Sequence, residues 1–130
     1  MVRYTGAKVH RMEDPRLLTG HGRYVDDIHL PGMLHAAFLR SSHAHARIHS
    51  IDASAALALP GVHGVFTQAD LGDDFVGQAM SQLYPAPVIK QDKTQYPLAS
   101  GEVCFVGQTV AVVVADSRAL AEDALALIAV

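Results

Sequence analysis

One run of residues near the end of the chain limits the possible folds most strongly. Every residue from 110 to 115 is apolar, and most are β-branched valines. A run of this length and composition is typical of a strand that is covered on both faces, so we expect Val112 to be a core residue. Asp116 follows and can cap a helix. The helix predicted there has one apolar face, formed by Leu120, Ala124, Leu127 and Ile128.

Short apolar runs separated by turn residues predict three further strands, over residues 33–39, 46–51 and 62–66. Leu30-Pro31-Gly32 marks the turn before the first of them. A short helix over residues 53–59 is predicted between the second and the third. Asp52 can act as its N-cap, and Pro60-Gly61 ends it.

Residues 72–100 differ in character from the rest of the chain. Thr67 and Asp70 have the spacing of a capping box, which predicts one helical turn closing at Gly72. The segment after it carries three prolines and two tyrosines and has no period, apart from one short strand predicted near residues 88–89. A loop of this length is usually functional or packs against another part of a protein.

Composition excludes several classes of protein. Half of the 130 residues are apolar and the formal net charge is -3, without a basic run, so we expect one compact domain that binds no nucleic acid. No early apolar run indicates a signal peptide or a membrane span. The single cysteine, Cys104, excludes a multi-cysteine metal or iron–sulfur site and fits a reducing, cytoplasmic setting. Its apolar neighbours predict a buried, unreactive thiol.

The histidines are the strongest candidates for a metal site. His43 and His45 would lie on one face of a strand, a spacing compatible with zinc, and His35 or His49 could supply a third ligand. No carboxylate or cysteine stands at a matching spacing. We therefore favour a hydrogen-bonding role for these histidines and keep a small zinc-binding protein as an alternative.

Other catalytic and nucleotide-binding motifs are incomplete. Gly20-x-Gly22 lacks the third glycine of a dinucleotide-binding turn, and no phosphate-loop triplet occurs. The pairs Asp26-Asp27 and Asp73-Asp74 would point to opposite faces of a strand or hydrate a turn. Ser41 and Ser42 have no strained elbow motif around them. We therefore assign no catalytic, cofactor-binding or metal-binding residue to this chain.

Several segments, taken in order and spacing, resemble one family. They are RMEDPRLLTG (11–20), GRYVDDI (22–28), LPG (30–32), RSSHAHARI (40–48), ID (51–52), LPGV (59–62), FVGQ (105–108) and VVVAD (112–116). Together they resemble the α/β-hammerhead domain that opens the molybdopterin-binding large subunit of aldehyde oxidases, xanthine dehydrogenases and carbon monoxide dehydrogenases. Ser42 departs from this pattern, because related sequences usually have proline there.

The resemblance implies an α+β (mixed α/β) fold, with a mixed sheet and a few packing helices. Residues 1–20 would form an extended N-terminal arm and residues 21–130 the α/β-hammerhead domain. We expect this domain to be truncated, since the chain ends at Val130 directly out of an apolar helix. The isolated chain should then self-associate or hold a mobile loop.

The resemblance also implies a structural role without activity of its own. The complete enzyme would oxidatively hydroxylate aldehydes, N-heterocycles, carbon monoxide or similar small molecules, using molybdopterin, FAD and 2Fe-2S clusters that this chain does not bind. Partners would be the remaining domains of the large subunit and the FAD and iron–sulfur subunits or domains. The alternative is a free-standing interaction module, or a small subunit, that assembles with a catalytic chain.

Overall fold

The computed structural model describes residues 5–8, 10–72, 79–80, 88 and 95–130. The chain divides into two compact units, Met1–Met33 and Leu34–Val130. The predicted strand near residues 88–89 lies mainly outside the described residues. None of the helices in the described parts has the length and apolar character that crossing a bilayer requires.

The first unit contains a five-residue helix, α1 (Asp14–Leu18), and a 3-10 turn at Val25–Asp27. The helix differs from the extended arm expected over residues 1–20. Pro15 occupies its first turn, where the missing N–H has no helical partner to lose, and Gly20 follows its end with φ at +74°. A helix of little more than one turn has no repeat of apolar residues, so hydrophobic periodicity could not indicate it.

The second unit combines a central sheet with two helices. Its elements are β1 (His35–Arg40), β2 (Ala46–Arg47), α2 (Ser54–Leu57), β3 (Val62–Phe66), β4 (Glu102–Val103), β5 (Thr109–Ala115) and α3 (Arg118–Leu125), with a 3-10 turn at Gln68–Asp70. β5 lies between β1 and β3 in a three-stranded sheet, and β2 pairs with β4. The predicted α+β class is confirmed. Where a mixed sheet was expected, the described strands all pair antiparallel, because β5 returns between two strands that run the other way.

The two sides of β5 are buried to different extents. Ala37 of β1 and Val65 of β3 stand in register with Val113, and all three belong to the core beneath α3. Val113 has no exposed surface, whereas Val112 is only half-buried. The prediction that Val112 is the core residue is therefore wrong, and Val113 takes that place. A continuous apolar run contains no polar residue that would tell the two faces of a strand apart.

Small side chains allow α3 to pack closely on the sheet. The buried residues of this cluster are Ala37, Ala56, Val113, Ala115, Ala121, Ala124 and Ile128. Ala124 and Ile128 were predicted on the apolar face of the helix. Leu127 was also placed there and is 42% exposed, because α3 ends at Leu125 and the regular helical period stops with it.

A second, smaller cluster lies beside β2 and β4. Its buried members are Ala99, Val103 and Val110. A register shift between Leu39 and Arg40 leaves Val110 as the extra residue on β5, in this second cluster. β2 ends at Arg47, well short of the strand predicted over residues 46–51.

The predicted cap of α3 is wrong by one residue. Ser117 occupies the N-cap position in an extended conformation, and its Oγ accepts the N–H of Leu120 at 3.2 Å. The carboxylate of Asp116 instead lies 2.7 Å from Nε2 of His63. Both residues are good caps, so only the backbone geometry at the end of β5 decides between them.

Two carboxylates hold the starts of short helical turns. Asp52 accepts the N–H of Ser54 at 2.9 Å, and hydrogen bonds from the backbone and side chain of Ser54 hold the pKa of its carboxyl below the usual value. Ala53, and not Asp52, is the N-cap residue of α2. Asp70 accepts both the O–H of Thr67, at 2.6 Å, and its N–H, at 2.7 Å, which confirms the predicted capping box.

Hydrogen bonds from the side chain and then the backbone of Thr67 lower the pKa of the Asp70 carboxyl from 3.8. The capping box therefore stabilises this turn at pH values above 3.8, the ordinary pKa of an aspartate carboxyl. This stabilisation is lost as the pH falls through the lowered pKa.

Replacing Val113 by Asp should destabilise the second unit by more than about 3 kcal/mol, because an unpaired carboxylate would enter the closed side of the sheet, which is the side that α3 covers. The same replacement at the half-buried Val112 should have a clearly smaller effect. Urea unfolding of the two variants measures the difference. Equal losses of stability would contradict the assignment of β5's closed side.

Candidate functional site

Two of the segments that carry the family resemblance, RSSHAHARI (40–48) and FVGQ (105–108), meet where β1 ends. The N–H of Gly107 donates to the carbonyl of Ser41 at 2.8 Å, and the N–H of Ser41 donates to the carbonyl of Gln108 at 2.9 Å. Nη1 of Arg40 donates to the carbonyl of Gly107 at 2.9 Å. The turn that precedes β5 is thereby joined to the end of β1 through backbone groups.

Buried glutamines complete this scaffold. Gln108 is 8% exposed, and its Oε1 accepts the N–H of Cys104 at 2.7 Å, which closes the turn between them. Gln68 is 4% exposed, and its Oε1 accepts the N–H of Leu98 at 3.0 Å. Each side-chain carbonyl gives a partner to a backbone N–H that no strand or helix satisfies. Sequence analysis placed Gln108 in the FVGQ segment of the family resemblance but gave neither glutamine a structural role, since a single glutamine carries no periodic signal.

An open cleft of about 450 Å³ lies beside this scaffold. Its apolar lining is formed by Leu39, Ala46, Ile48, Val103, Val110, Ile128 and Val130, and its polar lining by Arg40, Ser41, Ser42, His43 and Arg47. The volume is within the range of small-molecule sites. What the cleft can do chemically depends on whether its polar groups are available.

The serines of the cleft are not arranged as nucleophiles. Oγ of Ser41 lies 3.0 Å from both the N–H and the carbonyl of His43, which ties the hydroxyl into a local turn. Oγ of Ser42 lies 3.3 Å from Nδ1 of His43. Within the described ranges, no third side chain orients this imidazole. A serine nucleophile needs an oriented base, so the cleft offers binding surface and no nucleophilic site.

The two candidate zinc ligands have separate partners. Nε2 of His45 lies 3.2 Å from Oε2 of Glu102, and both side chains are exposed, whereas His43 contacts Ser42. Across residues 5–8, 10–72, 79–80, 88 and 95–130, no three His, Cys, Asp or Glu side chains are grouped closely enough to hold a metal ion. The structure therefore gives no support to the zinc alternative.

The remaining candidate residues, the glycine pair and the two aspartate pairs, have local roles in turns or lie outside the described residues. Gly20-x-Gly22 follows α1 and closes it, whereas a phosphate-binding turn precedes its helix. Asp27 accepts the N–H of Tyr24 at 2.9 Å as a local cap. Asp73-Asp74 lies outside the described residues.

Cys104 is exposed, contrary to the buried thiol that was predicted. It follows Val103, which is buried, so the apolar neighbours in sequence do not surround it. One exposed thiol does not fit an iron–sulfur cluster, which takes four ligands. The three α-helices that the structure describes lack a glycine-rich turn before them, so they do not fit a phosphate-bearing cofactor in that way either.

Comparison with known proteins identifies where this scaffold occurs. Residues 19–130 match the family model described as "Aldehyde oxidase and xanthine dehydrogenase, a/b hammerhead domain". The chain is 50% identical, over 96% of its length, to the carbon monoxide dehydrogenase large chain of Afipia carboxidovorans. It is 48% identical, over 95% of its length, to the nicotine 6-hydroxylase large subunit of Paenarthrobacter nicotinovorans.

Solved structures agree with the sequence matches. The structure aligns with quinoline 2-oxidoreductase from Pseudomonas putida 86 at a TM-score of 0.82 and 51% identity, over 95% of this chain. The chain spans only 14% of the carbon monoxide dehydrogenase large chain and 15% of the quinoline 2-oxidoreductase chain. It corresponds to one small part of these relatives.

Replacing Gln108 by Met should destabilise the second unit by about 1–3 kcal/mol, because the N–H of Cys104 loses the buried Gln108 acceptor while the side-chain volume is retained. Gln95 is exposed and provides a matched control, at which the same replacement should change stability by less than about 0.5 kcal/mol. Chemical denaturation measures both. Similar effects at the two positions would contradict the structural role of Gln108.

Replacing His43 and His45 together by Ala should leave the zinc content of the purified protein unchanged, because the two imidazoles do not share a ligand cluster. The exposed pair of His45 with Glu102 should contribute less than about 1 kcal/mol. Glu102→Gln, which removes the carboxylate beside His45 and keeps the side-chain length, is the control. Elemental analysis and thermal melts test this, and a zinc-dependent melting temperature that the double variant loses would refute it.

Proposed function

Because the chain belongs to the aldehyde oxidase and xanthine dehydrogenase family, as its a/b hammerhead domain, we propose that it is the structural N-terminal domain of the large subunit of a molybdenum-containing hydroxylase. The observation that carries the proposal is identity of about half the residues, over nearly the whole chain, to large subunits of oxidoreductases. In this role the domain contributes shape and contacts, and the reaction takes place on other parts of the enzyme.

The geometry of the motif segments supports a structural role. Arg40, Ser41, Gly107 and Gln108 all stand in segments shared with the family, and each is engaged in hydrogen bonds within the domain. Their bonds are directed at backbone groups of the two turns that they join. Groups used in this way hold loops in place, and they are not free to bind or transform a substrate.

The complete enzyme, in this proposal, oxidatively hydroxylates a small substrate such as an aldehyde, an N-heterocycle or carbon monoxide. Molybdopterin would supply the oxidising centre, and 2Fe-2S clusters and FAD would carry electrons away from it. These groups would be held by other domains of the large subunit and by FAD and iron–sulfur subunits or domains. A cytoplasmic location is part of the proposal and agrees with the single free cysteine, Cys104. The domain itself would comprise residues 21–130, preceded by the arm of residues 1–20.

Domain replacement tests this proposal. In the carbon monoxide dehydrogenase large chain of Afipia carboxidovorans, this chain would take the place of the segment to which it is 50% identical. We expect the chimeric subunit to assemble with its partner chains and to keep at least about a tenth of the carbon monoxide oxidation rate, which corresponds to a rise of under about 1.4 kcal/mol in the activation barrier. Activity and subunit composition are measured on the purified complex.

Two controls make the outcome decisive. A chimera that carries Val113→Asp should fail to assemble, because its inserted domain cannot fold. Deletion of the inserted segment should abolish assembly as well. An active complex after that deletion, or a folded insert that never joins the complex, would refute the structural-domain proposal and favour a free-standing interaction module.

A further inference from the structure

The side of the three-stranded sheet opposite α3 carries an unbroken set of apolar positions. We refer to this side as the outer face. Two rows of register partners define it: Ala36 with Val114 and Gly64, and Phe38 with Val112 and Phe66. Because side chains alternate along a strand, these residues face away from the core that holds Ala37, Val113 and Val65.

The outer face is partly open to solvent. Phe38 is 49% exposed and Phe66 is 39% exposed, while Val112 between them is half-buried. The ring of Phe66 lies over Gly64, since a Cβ built on this glycine would come within 2.8 Å of two ring atoms. Because Gly64 has no side chain, the ring of Phe66 can lie against the sheet at this position. Two phenyl rings thus flank a valine on the outer face.

A charged side chain stands at one edge of the outer face. The guanidinium of Arg40, at the end of β1, lies 6.0 Å from the centre of the Phe38 ring. Its Nη1 is already bonded to the carbonyl of Gly107. A charged group placed on the middle of the face would lose its hydration without gaining a counter-charge. The chemistry of the face therefore selects an uncharged, apolar occupant.

We propose that the outer face docks an apolar segment of the same large-subunit polypeptide, from outside these 130 residues, with the rings of Phe38 and Phe66 as its two anchors. This inference rests on the proposed function. The chain spans about 15% of its relatives, so most of the large-subunit polypeptide lies outside this domain. Exposed apolar patches on a soluble protein mark such interaction surfaces, and aromatic residues are the usual anchors at their centre.

Photo-cross-linking tests the occupant directly. In the chimeric large subunit described above, Phe38 or Phe66 would be replaced by p-benzoylphenylalanine, which keeps an aromatic ring at the position and reacts with neighbouring C–H bonds on irradiation. Glu122, an exposed position of α3, carries the same replacement as a control. Two probe positions keep the test decisive if one replacement disturbs folding. Mass spectrometry identifies the linked peptides.

We expect both probes on the outer face to link to apolar peptides of the same polypeptide outside the inserted 130 residues, without a change in subunit mass, and the Glu122 probe to give only background. Links to a second large subunit, to a different subunit, or only within residues 1–130 would overturn the proposal, as would background yields at both positions. Linking is read on the large-subunit polypeptide itself and does not depend on activity. An inactive chimera with the expected links would therefore contradict the proposed function alone, and an active chimera without them would contradict this inference alone.

Discussion

The arrangement of the second unit depends on how β5 divides its apolar side chains between two sides of one sheet. On the closed side, Ala111, Val113 and Ala115 have no exposed surface, and Ala121 and Ala124 of α3 meet the same cluster. Alanines at so many contact positions bring helix and sheet close together, so a larger side chain there would force backbone movement. Because one side of β5 is packed this tightly, the register of its pairing with β1 and β3 is fixed.

Irregularities in the two neighbouring strands follow from that register. β3 shifts against β5 between Val62 and Gly64, which leaves His63 as an extra residue, and its imidazole reaches Asp116 at the end of β5. The N–H of Asp116 also donates to the carbonyl of Gly61 at 3.0 Å. A Cβ on Gly61 would come within 2.8 Å of the Asp116 carboxylate and of Leu120, and its φ of +89° favours glycine as well. The turn before β3 is therefore held to the end of β5 by one aspartate.

Local patterns could predict the elements that local chemistry decides. β3 was predicted with its observed bounds, because Pro60-Gly61 and Thr67 delimit an apolar run on both sides, and the family and its hammerhead fold were correctly identified from ordered motifs. The predictions were wrong where a contact distant in sequence decides between residues that suit the position equally well by local chemistry. Asp116 and Ser117 are both competent caps, and Cys104 has apolar neighbours in sequence that do not cover it in space. Which side of β5 is closed depends on where α3 packs, and no window of residues contains that information.

The candidate site shows why motifs could reveal the family without revealing any chemistry. Across the described residues, every buried side-chain nitrogen or oxygen has a hydrogen-bond partner, and the two buried glutamines, Gln68 and Gln108, are committed to backbone N–H groups. Active sites usually hold perturbed or incompletely paired polar groups aimed at a cavity. Here the polar groups satisfy one another, and the motif positions are needed to close two turns. Apolar surface remains exposed at Phe38 and Phe66, and its burial against another apolar surface would be favourable.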